Sequence, residues 1–234
     1  MQRTRLPRRS LLAAATGVAV GAAGLAGPAH AAHPAEPAPD TPQKALDRLL
    51  AGNRRFRSGH AIHPNQTLRR LQEVAAGQHP FAITLGCADS RVPPELLFDQ
   101  GLGDIFDNRV AGNIVDDLLL GSVEFAVEEF APPLLMVLGH ERCGAITATI
   151  EALESGGAAP GHIGAIVDAL TPIIEPLLES EGDRVENGVQ ANVRAQVQQL
   201  LTTSHIIAER VAAGTLAVVG ARFDLDTGRV TLVH

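Results

Sequence analysis

The chain of 234 residues is 45% hydrophobic and 19% charged, carries a formal charge of −7, and contains two cysteines, no tryptophan and no tyrosine. Its length and apolar fraction exclude a disordered protein and fit one domain with a sizeable core, while net acidity argues against wholesale binding to nucleic-acid phosphates. Two cysteines exclude a disulfide-rich scaffold and a four-cysteine zinc module; they leave one disulfide, two inert core thiols, or two ligands of a single metal.

Residues 1–31 have the organisation of an export signal. Arg3, Arg5, Arg8 and Arg9 precede an apolar run from Leu11 to Leu25, and Ala29-His30-Ala31 supplies a small-x-small cleavage site. The run is too short, and too rich in alanine and glycine, for a membrane span. Arg8-Arg9 followed by Ser10-Leu11-Leu12 resembles the twin-arginine type of signal, whose passengers leave the cell already folded. A Sec signal with several arginines is the alternative. No cysteine follows the cleavage site, so an exported mature chain without a membrane anchor is expected. Residues 32–40 read as a proline-rich linker, and residues 41–234 as the folded domain.

Thr41-Pro42 predicts a helix start, a capping hydroxyl followed by proline at the first helical position. Leu46, Leu49, Leu50 and Phe56 recur at helical spacing until Gly59, and a second short helix is expected over residues 67–76. Phe81 to Leu85 is an apolar run of the kind a strand buried on both faces presents. Asp104 to Val110 is a weaker strand, interrupted by Asp107, Asn108 and Arg109. Leu118 to Phe130 reads as a helix stopped by Pro132-Pro133, and Leu134 to Leu138 as the clearest buried strand. A helix from Ala145 to Leu153 leads into a glycine-rich loop at 155–161. Val189, Val193, Val197, Leu200, Ile207 and Val211 share a helical face, with a break expected near Ser204. Leu216 to Val219 is another strand, and Asp226-Thr-Gly228 turns the chain into a last one, Arg229 to Val233. Strands alternating with helices predict an α/β fold: a mainly parallel sheet with helices on both faces and a C-terminal hairpin.

The two cysteines fall in this plan at strand ends. Cys87 comes two residues after the strand ending at Leu85, and His140 and Cys143 come just after the strand ending at Leu138. Open parallel sheets place their ligand sites beyond the carboxyl ends of strands. If those two strands are neighbours, Cys87, His140 and Cys143 converge. Thiolate, imidazole and thiolate form a soft, tetrahedral-prone set suited to zinc, and three protein ligands leave a fourth position open for catalysis. A Cys87–Cys143 disulfide remains possible in an exported protein. Asp89 and Arg91 form a charge pair beside the candidate metal, where packing needs neither. The other histidines lack ligand-like partners; His60 and His63 are spaced as a weak pair in a loop.

The run Cys87-Ala-Asp-Ser-Arg91, followed downstream by His140-Glu-Arg-Cys143, resembles the zinc motif of the β-class carbonic anhydrases. The similarity runs from about Lys44 to Val233 and includes residues 99–106, Arg109-Val-Ala-Gly-Asn113 and residues 218–224. The resemblance implies a Rossmann-like sheet, an amino-terminal helical arm that wraps a partner subunit, and a homodimer or dimer of dimers. It implies one Zn²⁺ per subunit on Cys87, His140 and Cys143, an Asp89–Arg91 catalytic dyad, and reversible hydration of carbon dioxide to bicarbonate. It also implies a pocket of Gln78 (donating across the dimer), Phe106, Phe125 and Gly144. Because two thiolates cancel the charge of the metal, activity is expected to rise towards alkaline pH.

One departure stands out. Some bacterial members bind bicarbonate at a regulatory site made of a tryptophan, an arginine and a tyrosine. Arg109 matches the arginine, but Thr84 and Phe223 stand at the other two positions. That site is not expected in its known form. Carbon disulfide hydrolases share the zinc motif, so hydrolysis of carbon disulfide is an alternative activity; a module that binds bicarbonate without turnover is another.

Overall fold

A computed structural model describes residues 37–234. The expected export signal and most of the expected linker, residues 1–36, lie outside the described residues. The first helix, α1 (Pro42–Arg57), starts as expected: the Thr41 side chain accepts a hydrogen bond from the Lys44 N–H. A short α2 (Leu68–Val74) is capped the same way by Thr67. Then come β1 (Ala82–Gly86), α3 (Pro94–Leu97), β2 (Ile105–Arg109), α4 (Asp117–Phe130) and β3 (Leu134–His140). The chain closes with α5 (Gly144–Ser155), α6 (Ile163–Ile174), α7 (Arg184–Thr203), α8 (His205–Ala212), β4 (Ala217–Phe223) and β5 (Val230–Val233).

The five strands lie in the order β2-β1-β3-β4-β5. All neighbours are parallel except the final β4–β5 hairpin. Side chains alternate across this sheet with period two. Leu134, Met136 and Leu138 face the layer of α1 and α3, whereas Leu135 and Val137 face α4, α7 and α8. The chain leaves β1 first towards β2 and then returns to the other side of β1 as β3, so the topological switch point lies between β1 and β3. Ligand sites of open α/β sheets form there. Among the described residues no helix is long and apolar enough to cross a membrane.

Several elements depart from expectation. The strand β3 runs on to His140 rather than ending at Leu138. β4 continues past Val219 to Phe223, because Gly220 leaves room for α7: a side chain there would come within 2.7 Å of Val193. Helices α3 and α6 were not anticipated. Ile163, Ile166, Val167, Leu170 and Ile174 carry a helical period in α6, but Gly161, Gly164 and Pro172 interrupt its reading. The break near Ser204 is present: its hydroxyl caps α8 by accepting the Ile207 N–H and donates to Glu124. The helix expected to reach a partner, α1, buries Ala45 and Leu49 against its own sheet, and Asn53 bonds the backbone at Leu97, Gly228 and Val230.

Candidate active site

Register places the site. Gly86 of β1 pairs with Leu138 of β3, so Cys87 leaves the sheet beside Gly139 and one residue before His140. Arg142 then adopts a left-handed backbone (φ 52°), which turns the chain so that Cys143 caps the start of α5. The result is convergence: the ligand atoms of Cys87, His140 and Cys143 all lie within 4.8 Å of one another, and all three residues are buried. The thiols are free, which removes the disulfide reading.

The donor set fits a metal. His140 Nδ1 lies 2.9 Å from the Glu141 carbonyl, an acceptor only, so Nδ1 carries the proton and Nε2 keeps its lone pair. That Nε2 is buried with no hydrogen-bond partner. Buried polar atoms are seldom left so, and a metal-binding imidazole typically shows this arrangement of its second nitrogen. The two thiols share a hydrogen bond. A hydrogen bond from Cys143 holds Cys87 well below the ordinary thiol range against the opposing effect of burial, helped by the Gly112 and Asp89 N–H groups. The same hydrogen bond, with burial, pushes Cys143 up although the first amides of α5 point at its sulfur. A dication held by Cys87, His140 and Cys143 would remove this conflict by taking both sulfurs as thiolates.

Asp89 and Arg91 form a closed pair next to this cluster. Arg91 Nε and Nη2 donate to the two carboxylate oxygens at 2.9 and 2.6 Å, and the Arg91 N–H adds a third bond at 2.9 Å. The guanidinium therefore keeps the Asp89 carboxyl well below the usual range despite partial burial. Asp89 Oδ2 lies 3.8 Å from His140 Nε2, so the carboxylate overhangs the orphaned nitrogen. Arg109 braces the same loop from β2, donating to the Cys87 and Asp89 carbonyls. Thr84 Oγ1 donates to Asp107, and Phe223 is in the core.

The pocket residues divide. Gly144 sits in the first turn of α5, next to Cys143. Gln78 does not reach the cluster of its own chain: it precedes β1, whereas Cys87 follows it, and five extended residues span about 16 Å. Phe106 and Phe125 are likewise away from the cluster of their own chain. They stack with Phe130 between the edge strand β2 and α4, at centroid distances of 5.7–6.3 Å. The reason for Phe106 is register: it pairs with Ile83, four residues short of Cys87. Sequence reasoning missed Asn192 and Gln196 of α7, which hold the loop at Gly112; they lie about a hundred residues from Cys87, with no local motif to mark them.

Comparison with known proteins agrees with this geometry. The carbonic anhydrase family description matches residues 82–230. The chain is 42% identical over 191 residues to carbonic anhydrase 2 of Mycobacterium tuberculosis, covering 82% of this chain and 92% of that protein. It is 43% identical over 191 residues to a carbonic anhydrase of Mycolicibacterium smegmatis, covering 82% and 93%. Among solved structures, a tetrameric β-carbonic anhydrase of Sordaria macrospora superposes with a TM-score of 0.62 at 26% identity, over 82% of this chain and 94% of that one. The Coccomyxa β-carbonic anhydrase bound to acetazolamide gives 0.61 at 26% identity, over 82% of each chain. With a family match across the sheet and its switch point, and relatives above 40% identity over most of their length, the chain belongs to the β-class carbonic anhydrases.

Proposed function

We propose that this protein interconverts carbon dioxide and bicarbonate using one zinc ion held by Cys87, His140 and Cys143. The observation that carries the reading is the buried, unpartnered His140 Nε2 between two thiols, with an ionised carboxylate 3.8 Å away. Zinc, when bound, supplies the Lewis acid that makes water nucleophilic near neutral pH. The protein's own groups do the rest. Asp89 Oδ2, kept ionised by Arg91, accepts the hydrogen bond of the attacking water and so orients its lone pair towards carbon. Arg91 holds both Asp89 oxygens and keeps the carboxylate off the open coordination position. Gly144 opens α5 next to Cys143, and its N–H would donate to a bicarbonate oxygen, with the helix dipole favouring that charge. Stopped-flow carbon dioxide hydration on purified protein, with zinc and free-thiol content measured alongside, tests this. Full zinc without hydration overturns it in favour of carbon disulfide or bicarbonate binding as the function.

The working unit is a homodimer or a dimer of dimers. Phe125 is 56% exposed beside Phe106 and the free edge of β2, and Leu118 projects from the same helix. A second copy on this face would cover the aromatic cluster. Phe125→Glu is then expected to yield monomers by light scattering and to lower activity; an unchanged mass would count against this interface. Export rests on residues 1–31: replacing Arg8-Arg9 by lysines should retain the precursor inside the cell if the twin-arginine route is used.

A further inference from the structure

Helix α7 meets the loop after β2 through apolar groups, Val189 and Val193 among them, and also through buried side-chain amides. Asn192 and Gln196 are each 1% exposed. Asn192 Nδ2 donates to the Gly112 carbonyl at 2.8 Å, and Gln196 Nε2 donates to Asn192 Oδ1 at 2.9 Å. Gln196 Oε1 accepts the Val115 N–H at 2.8 Å, and Gln199 Nε2 donates to the Val115 carbonyl at 3.1 Å. The chain of bonds has one direction. The Val115 N–H can only donate, so it fixes the Gln196 oxygen; the Gln196 amide then fixes the Asn192 oxygen, and the Asn192 NH₂ must face Gly112. Burying two amides costs free energy unless both are paired, and an apolar contact would cover the loop as well. What the amides add is orientation.

The orientation matters because of Gly112. Its φ is 79°, a conformation that suits glycine, and a side chain there would lie 3.1 Å from Ala145. Its N–H points at Cys87 Sγ, 3.4 Å away. Carbonyl and N–H lie in the two peptide planes joined at the Gly112 Cα; with the Asn113 N–H held on the Val110 carbonyl at 2.9 Å, the bond from Asn192 restrains rotation between those planes and so the direction of the N–H.

We propose that Asn192, locked by Gln196, is a positioning residue of the metal centre: it keeps the Gly112 N–H on Cys87 Sγ and thereby limits the electron donation of that sulfur to the metal. The inference rests on the zinc reading above. A hydrogen bond to a thiolate draws charge from sulfur, so its loss makes sulfur a stronger donor and less constrained in place. Outer contacts of this kind typically change metal affinity about 10–100-fold.

The test exchanges zinc for cadmium-113 in the whole protein. Absence of sulfur-to-cadmium absorption would mean that the thiols do not bind metal, and the zinc reading itself would fail. With cadmium bound, a scalar coupling between the metal nucleus and the Gly112 amide proton is expected, and bound cadmium without that coupling overturns the inference. In Asn192→Leu the coupling should be lost, and in the cobalt-substituted variant the sulfur-to-metal band should move to lower energy. Zinc should also pass to a chelator about tenfold faster. Asn192→Asp, nearly isosteric but without the NH₂ donor, should do the same, and it serves if the leucine variant fails to fold. A variant with a lowered unfolding midpoint but unchanged coupling and band would make Asn192 merely structural.

Discussion

The Asp89–Arg91 pair is a local feature with a reach beyond its own two residues. Its three hydrogen bonds are made between residues two apart, so almost no folding is needed to bring them together. What folding adds is the 3.8 Å approach of that carboxylate to His140. On the proposed mechanism, Arg91→Ala would free Asp89 to turn towards His140 and the two thiols. Misplacement of a reacting group by about 1 Å can cost about 100-fold, and a loss of that order in kcat/KM is expected by stopped flow; full activity would remove Arg91 from the dyad. A second carboxylate does structural work. Asp99 has no exposed side-chain surface; burial alone would raise its pKa. Arg55 at 2.6 Å and the N–H groups of Ile62 and His63 together hold it below the usual range. Its folded pKa being depressed, its contribution is complete above the unfolded value of about 3.9 and is lost as pH falls through the folded one. Asp99→Asn should therefore cost about 2–3 kcal/mol in urea unfolding at pH 7. The gap to the parent protein should shrink below about pH 4.

At the scale of elements, α7 decides how the sheet and the site fit together. It crosses β3 and β4 at two glycines: a side chain on Gly139 would stand 2.6 Å from Val193 and one on Gly220 2.7 Å from it. That close approach brings Asn192 over the Gly112 loop and places the layer directly behind His140. Gly139→Ala should cost about 1–3 kcal/mol by overpacking. Combined with Val193→Ala, the two costs should fall short of additive by about 1 kcal/mol in a denaturant double-mutant cycle; strict additivity would mean the two positions do not meet. Helices marked by capping residues and a clean apolar face, α1 and α4, are legible in the sequence. Helix α6 is not, because Gly164 and Pro172 break its pattern while packing of Val167, Leu170 and Ile174 stabilises it from outside. Propensity is a local quantity, and burial overrides it.

For the whole molecule, the donor set controls the pH response. Two sulfur ligands neutralise the charge of a dication, so hydration activity should climb from about pH 6.5 to about pH 9; a flat profile over that range would contradict a two-thiolate centre. The two positions at which a regulatory site was not expected are otherwise engaged, Thr84 with Asp107 and Phe223 in the core. The climb should then follow the metal centre alone, without a steep cooperative onset.

The cluster of Cys87, His140 and Cys143 with its neighbouring charge pair was legible in sequence because each member belongs to a short run at the end of an apolar strand, Cys87 to Arg91 and His140 to Cys143. Strand ends are set by local patterning, and parallel sheets gather them on one edge. Of the three readings the two cysteines first allowed, the structure removes the disulfide, and their convergence with His140 favours the metal site. The sequence by itself therefore determined the donor types, the strand order of their appearance and the charge pair beside them. Tertiary structure alone decided three further things. Register set Cys87 beside Gly139 rather than elsewhere along β3. The fold sent Phe106 and Phe125 to an exposed aromatic cluster and left Gln78 at the far end of β1. It also brought the amides of α7 to the loop that touches a ligand sulfur. These depend on contacts between residues far apart in the chain, and such contacts leave no periodic or local trace in the sequence that makes them.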